Sequence, residues 1–242
     1  MPGHGNRPGL LLHETARLGG NGVRNRVVGQ PVHDASTEHV GTWVKVWIRH
    51  QAEPALRDDA LHLLAWARLL AGRPEQAREA LRRFSGQRDP DPALAGAVAL
   101  DLGETRRAVE LLQEALPDPF AANRFVQAVA ESRQFQSLTS VSPDALSDAH
   151  WRELHEAALE AGDFDAAFVT ASVLFERGPD AEVAFDAACA LSRSGRLDDA
   201  HQWLERAREQ GFADVELLDE HEDLAALRAL PSWEPLRATF ET

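Results

Sequence analysis

The chain contains little cysteine and has no long apolar run. Its 242 residues include one cysteine, Cys189, so an intrachain disulfide is excluded and the thiol is interpreted as a small apolar residue. No stretch approaches the roughly 18–20 apolar residues that a membrane helix needs, and the N-terminal residues lack the apolar core of a secretory signal. We therefore expect a soluble cytoplasmic protein without a membrane span.

The chain also lacks the short motifs of common enzymes. The sequence GNG at 20–22 is not followed by the Lys and Ser or Thr of a phosphate-binding loop, and no nucleophile-elbow motif occurs. His33 and His39 are spaced unlike a metal pair on a helix, and His13 lacks the second histidine of a helical zinc motif. We expect no catalytic residue, no cofactor and no metal ion.

Charge is strongly negative but unevenly distributed. The formal net charge is −14, and nucleic acids and anionic membranes would repel such a protein, so neither is expected as a partner. Residues 1–57 nevertheless carry seven basic against four acidic side chains, whereas residues 58–242 carry 18 against 35. The basic N-terminal part could fold back on the acidic remainder or contact another molecule.

One short phrase, a glycine followed five residues later by an alanine, occurs four times. The copies are AGRPEQA at 71–77, LGETRRA at 102–108, AGDFDAA at 161–167 and SGRLDDA at 194–200. Successive glycines are separated by 31, 59 and 33 residues. A constant period of this size is typical of helical repeats. The middle spacing of nearly two periods predicts a degenerate copy at 120–146, in which Arg133 replaces the glycine.

Each phrase lies between two segments with helical spacing of apolar residues. Residues 61–69 and 77–84, on either side of Gly72, both show this spacing. The glycine is therefore expected to end the first helix in a left-handed conformation, which costs glycine little. The alanine is expected at the closest approach of the two helices, where a larger side chain would push them apart.

These features resemble the tetratricopeptide repeat (TPR), a helix–turn–helix unit. The best copy spans 148–179, and its residues in the frame of the repeat are Trp151, Leu154, Ala158, Gly162, Ala167, Ala171, Leu174 and Pro179. His155 and Ala158 depart from the family pattern, which has a small residue and an aromatic residue at these positions, and His155 is expected inside the array. The resemblance covers residues 58–212 and implies an all-α, right-handed α-solenoid of about five stacked helix pairs. A plain antiparallel helical bundle without a superhelix is the alternative.

The two ends of the chain differ from the repeats. Residues 1–35 are rich in Gly, Asn and Pro and are interpreted as a loop-rich lead. Residues 36–57 carry one apolar stripe with two tryptophans, which predicts an N-terminal capping helix or, alternatively, a helix that docks on a partner or a membrane surface. Residues 213–242 are interpreted as a C-terminal capping segment, with its apolar residues inward and its acidic residues solvated.

The resemblance also implies a binding groove, because the first helices of TPR pairs line the concave side. On that frame the predicted groove residues are His62, Trp66, Leu69, Leu100, Arg152, Glu156, Leu159, Phe185 and Cys189. Such an apolar groove with a few charges suits a peptide or an amphipathic helix. The alternative is that the N-terminal lead or the capping helices fill it. Relatives that bind chaperone C-termini use lysine in the groove, and the single lysine here lies outside the repeats.

The function expected from these features is a non-enzymatic adaptor or scaffold that binds another protein or a peptide segment. One alternative is a regulatory or accessory subunit of an enzyme that acts through the N-terminal segment. A third is a small hydrolase with a site around His13, His33 and His39. The partner and the oligomeric state stay open at this point.

Overall fold

The described part of the chain is entirely helical. The computed structural model describes residues 54–84 and 89–241, and every regular element in these ranges is a helix, which confirms the predicted all-α class. No helix in these ranges is long and apolar enough to cross a membrane. The predicted lead at 1–35, most of the predicted capping helix at 36–57, and with them His13, His33 and His39, lie outside the described residues.

The helices follow one another along the chain with short connections. The α-helices of the described ranges are α1 (Pro54–Leu70), α2 (Pro74–Leu81), α3 (Pro92–Asp101), α4 (Thr105–Glu114), α5 (Pro119–Ser132), α6 (Asp148–Ala161), α7 (Phe164–Arg177), α8 (Ala181–Arg193), α9 (Leu197–Glu209), α10 (Val215–Glu220), α11 (Ala225–Arg228) and α12 (Trp233–Ala238). Three short 3-10 helices span Phe135–Ser140, Pro143–Ala145 and Glu222–Leu224. The boundary predicted between residues 57 and 58 falls inside α1.

Four helix pairs are joined by turns of the same geometry. The glycines that join α1–α2, α3–α4, α6–α7 and α8–α9 all have positive φ angles: Gly72 at 66°, Gly103 at 76°, Gly162 at 72° and Gly195 at 79°. At each turn the glycine N–H donates to the carbonyl three residues back, and the next N–H donates to the carbonyl five residues back. These paired bonds are those of the Schellman motif, which satisfies the last carbonyls of a helix.

The degenerate copy is also present at the predicted place. Arg133 ends α5 with φ 55° and ψ 32°, which is the left-handed conformation that the four glycines adopt. A 3-10 helix, Phe135–Ser140, follows it where the other pairs have a second α-helix. The prediction that Arg133 stands at the position of a glycine is therefore confirmed, although its second helix is reduced.

The helices pack in the order in which they occur in the chain. From α1 to α9 each helix packs on the next, and the first helices α1, α3 and α5 also contact each other in succession. Helices α6 and α8 approach each other less closely than α3 and α5, through side chains such as His155 and Asp186. The alanines five residues after the glycines have no exposed surface: Ala77, Ala108, Ala167 and Ala200. This burial is what a close contact between paired helices requires.

The C-terminal segment folds back on the last helix pair. Trp233, Leu236 and Phe240 are buried, as predicted, in a cluster with residues of α8 and α9. Leu217 is an exception to the expected inward placement of the apolar residues, because it is 38% exposed. Arg237 of α12 donates from Nε to Oδ1 and from Nη2 to Oδ2 of Asp219 on α10, both at 2.7 Å, and so connects the two helices.

Gly96 provides a test of the packing between α3 and α4. A Cβ at this position would lie 2.6 Å from Leu112 Cγ and 3.1 Å from Leu112 N, and Leu112 is fully buried on α4. Helix propensity alone favours Ala over Gly by about 1 kcal/mol, but overpacking of this kind costs about 1–3 kcal/mol. We therefore expect Gly96→Ala to lower the free energy of unfolding in a urea titration.

Gly178 is the matched control for this substitution. Nothing lies within 4 Å of a Cβ built there, and its φ of −158° is accessible to any residue. Gly178→Ala should leave the free energy of unfolding unchanged or raise it by up to about 1 kcal/mol, because it restricts the unfolded chain. Stabilisation by both substitutions would contradict the close packing of α3 on α4.

Candidate functional site

The residues predicted to line one groove fall into three different environments. His62, Trp66 and Leu69 lie on α1, and Leu100 lies on α3, where it is buried in the core. Arg152, Glu156 and Leu159 share one exposed face of α6, whereas Phe185 and Cys189 on α8 are buried. The structure therefore does not bring the nine residues together along one open surface.

The side chains of α1 contact the protein itself. Trp66 is half-buried, and its ring packs edge-on against Phe120 of α5, with the two ring centroids 4.9 Å apart. Its indole Nε1 donates a hydrogen bond of 3.1 Å to Nε2 of His62, one turn earlier. Leu69 is only 6% exposed. These predicted groove residues thus offer little free apolar surface themselves, although Leu63 and Leu70 of the same helix are 62% and 75% exposed.

Phe185 and Cys189 are covered by the C-terminal segment. The Phe185 ring stacks on Phe212 with 4.5 Å between the centroids, and its edge meets the ring of His221 at 5.3 Å. Phe185 is 4% and Cys189 5% exposed. The expectation that both line an open groove is corrected here: the chain's own C-terminal segment occupies that position, because the stripe of leucines that follows α9 needs an apolar surface to pack on.

An open cleft does exist between α6 and α8. It has a volume of about 570 Å³ and is bounded at one end by the α7–α8 connection. We call it the acidic cleft, and its lining residues are Asp148, Arg152, His155, Glu156, Leu159, Leu174, Gly178, Pro179, Asp180, Glu182, Val183 and Asp186. Three of the nine predicted groove residues, Arg152, Glu156 and Leu159, therefore lie together in it.

The lining of the acidic cleft is dominated by carboxylates. Five of its side chains are acidic, and Arg152 is its one arginine. Asp148 at the rim pairs with Nη2 of Arg177 at 2.8 Å. Leu159 is the exposed leucine of the lining, with 38% of its surface accessible. The cleft thus combines a negative field with one apolar contact, which complements a basic group on an apolar stem.

A histidine and an aspartate meet in the acidic cleft. His155 is 8% exposed, and its Nδ1 donates to the carbonyl of Ala167 at 3.0 Å, because a carbonyl oxygen can only accept. Nε2, the other ring nitrogen, is buried without a hydrogen bond and lies 3.9 Å from Oδ2 of Asp186. Burial raises the pKa of the Asp186 carboxyl, and nearby His155 opposes this rise. The cleft therefore contains an ionisable pair close to its apolar wall.

A second polar cluster lies on the adjacent face of α8. Cys189 Sγ is 3.7 Å from Nδ1 of His221, which in turn is 3.8 Å from Oδ2 of Asp223. Burial strongly raises the pKa of the Cys189 thiol, and the carboxylates of Asp223 and Asp186 add to that rise. A nucleophilic cysteine needs a lowered thiol pKa. This cluster therefore has the residue types of a nucleophilic triad but not its electrostatics.

Sequence reasoning missed half of each cluster. The interior position predicted for His155 is confirmed by its burial, but its neighbour Asp186 was not singled out. From the sequence, Asp223 belongs to a solvated acidic run and His221 is not singled out, whereas the structure places both against α8. One sequence signal for the second cluster is available: a histidine and an aspartate stand two residues apart, downstream of the helix that carries the single cysteine.

No protein-family model matches this chain. The curated proteins contain no match to it either.

The different environments of Phe185 and Leu159 predict different effects on stability. Phe185→Ala removes a buried ring that stacks on Phe212, so we expect the free energy of unfolding to fall by about 3–5 kcal/mol. Leu159→Ala removes a half-exposed side chain and should cost no more than about 1 kcal/mol. Urea denaturation followed by circular dichroism measures both. Equal and small losses would mean that the C-terminal segment does not cover Phe185 in solution.

Proposed function

We propose that this protein is a cytoplasmic, non-enzymatic adaptor that binds a basic segment of another protein in the acidic cleft. The segment is a peptide or an amphipathic helix that carries arginine or lysine beside an apolar side chain. We further propose that the helix pairs form a right-handed TPR-like solenoid with capping segments.

The repeated turn geometry supports the solenoid. Four glycines and Arg133 take the left-handed conformation at near-regular intervals, and each helix from α1 to α9 packs on the next. A helix pair of this size cannot bury its apolar face alone and must share it with its neighbours. Protein binding is the common use of such arrays, but the fold by itself does not specify a partner.

The acidic cleft is the observation that carries the binding proposal. Its volume of about 570 Å³ is within the range of pockets that hold a side chain or a short peptide. Leu159 offers apolar surface, and Glu156 and Glu182 are exposed acids on the two facing helices. A basic peptide would reduce the electrostatic repulsion between these carboxylates, and long-range attraction would raise its association rate.

The alternative of a regulatory subunit acting through its N-terminal segment concerns residues outside the described ranges. Nothing in the described residues favours it over adaptor binding at the acidic cleft.

A panel of fluorescent peptides of equal length tests the proposal with the full chain. The peptides carry leucine at helical spacing together with arginine, glutamine or glutamate, and fluorescence anisotropy measures their affinity. We expect the arginine peptide to bind most tightly and the glutamate peptide not to bind. Replacing Glu156 and Glu182 by glutamine should lower the affinity for the arginine peptide several-fold, as expected for partly exposed charge pairs. The affinity for the glutamine peptide should not change.

A matched pair of leucines tests where the peptide binds. Leu159 in the cleft and Leu217 on α10 are both 38% exposed. Leu159→Ala should lower the affinity for the arginine peptide about fivefold, because about 1 kcal/mol of apolar burial is lost. Leu217→Ala should not change this affinity. Equal effects of the two substitutions, or equal binding of arginine and glutamate peptides, would contradict binding in the acidic cleft.

A further inference from the structure

One face of α8 contacts the loop that follows α10. Phe185, Cys189, Ser192 and Arg193 lie at positions i, i+4, i+7 and i+8 of this helix, which places them on one side of it. Each of the four touches the segment 221–223. The loop is thus attached to α8 through four successive side chains, of which only Phe185 is purely apolar.

Three potential metal ligands converge in this contact. They are Sγ of Cys189, a ring nitrogen of His221 and a carboxylate oxygen of Asp223, and these atoms all lie within 4.8 Å of one another. Nδ1 of His221 is the central atom, 3.7 Å from Sγ and 3.8 Å from Oδ2 of Asp223. Within the described ranges no other group of three such side chains converges in this way.

Two of the three distances between the ligand atoms are close to those around a shared cation. The backbone N–H of Asp223 donates to His221 Nδ1 at 3.4 Å, and Sγ of Cys189 lies 3.7 Å from the same nitrogen, so both contacts are long hydrogen bonds. A tetrahedral zinc ion with ordinary bond lengths holds its sulfur and nitrogen ligands about 3.6 Å apart, and its nitrogen and oxygen ligands about 3.4 Å apart. The Sγ–Nδ1 and Nδ1–Oδ2 distances here exceed these values by only a few tenths of an ångström, and all three ligand atoms lie within 4.8 Å of one another.

The surroundings of the three ligands orient them. Nη1 of Arg193 donates to Oδ1 of Asp223 at 2.7 Å, which leaves Oδ2 facing His221. Ser192 Oγ donates to the Asp223 carbonyl at 2.6 Å, and Arg228 Nη1 donates to the His221 carbonyl at 2.7 Å. Outer partners of this kind fix metal ligands and are worth about 10–100-fold in metal affinity.

We propose that Cys189, His221 and Asp223 bind one zinc ion. Sulfur, imidazole nitrogen and carboxylate oxygen form a donor set that suits zinc, whereas magnesium and calcium prefer oxygen alone. His221 and Asp223 are partly exposed, so water completes the coordination. On binding, the zinc–sulfur bond replaces the S–H bond and the proton leaves to solvent, with no change in oxidation state.

The zinc ion would connect two parts of the fold that are 32 residues apart in the sequence. Cys189 belongs to α8, and His221 begins the final segment that covers α8 and α9. The ion would close this segment into a loop only in the folded state. It would therefore stabilise the folded state relative to the unfolded chain, which binds the ion less well. The site shares no lining residue with the acidic cleft, and neither proposal is assumed in arguing the other.

Cobalt is the probe for this site, because four-coordinate cobalt with a thiolate ligand has a near-ultraviolet charge-transfer band and intense visible bands. The full chain without an affinity tag is titrated with Co²⁺ and then with Zn²⁺ as competitor. We expect one cobalt per chain, a thiolate band, and complete displacement by zinc. Zinc should also raise the Tm of the wild-type chain in a calorimetric scan.

The variants assign the ligands and control for folding. Cys189→Ser, which nearly preserves the volume, should abolish the thiolate band. His221→Gln and Asp223→Asn, both at partly exposed positions, should weaken zinc binding more than about 100-fold, and Arg193→Gln should weaken it by about 10–100-fold. His201→Gln is the matched control, because His201 also neighbours a carboxylate, Glu205 at 4.0 Å, but on the surface of α9. It should change nothing.

Three results would overturn the proposal. The first is a cobalt spectrum of the wild-type chain without a thiolate band. The second is an equal loss of zinc affinity in His201→Gln and His221→Gln. The third is a zinc-dependent rise in Tm that persists in Cys189→Ser and Asp223→Asn.

Discussion

The contact of paired helices at a buried alanine is the constraint on which the rest of the structure depends. An alanine side chain lets two helix backbones approach closely, and the four alanines at these contacts have no exposed surface. Such an approach requires the chain to reverse sharply, and the left-handed glycine five residues earlier allows this at little cost. Because each pair has the same turn and the same contact, successive helices pack in chain order.

Where charged side chains face each other, the helices stay apart. Glu156 of α6 and Glu182 of α8 are exposed acids on facing helices, and His155 and Asp186 lie between them. Carboxylates keep favourable hydration only if water reaches them, so these two helices cannot pack as closely as α3 packs on α5. The acidic cleft is therefore a direct consequence of charge placed at an interface that is elsewhere apolar.

The sequence predicts the local structure of this chain better than its long-range contacts. Turn positions, the buried alanines and the conformation of Arg133 follow from spacing and from glycine stereochemistry. The groove was predicted by assuming that every first helix has an open face. Phe185 and Cys189 violate that assumption because a segment more than 20 residues later covers them, and periodicity within α8 carries no information about that cover. Arg152, Glu156 and Leu159 stay open because no later segment reaches them.

Helix α8 is a wall of both polar sites. Glu182, Val183 and Asp186 line the acidic cleft, while Cys189 and Arg193 contact the loop after α10. The sites are also linked electrostatically, since His221 tends to lower the pKa of Asp186, against the dominant effect of burial. A cation held beside His221 would act on Asp186 in the same sense and favour its charged form. It would thus strengthen the negative field of the cleft, and the basic segment proposed to bind there would be attracted more strongly.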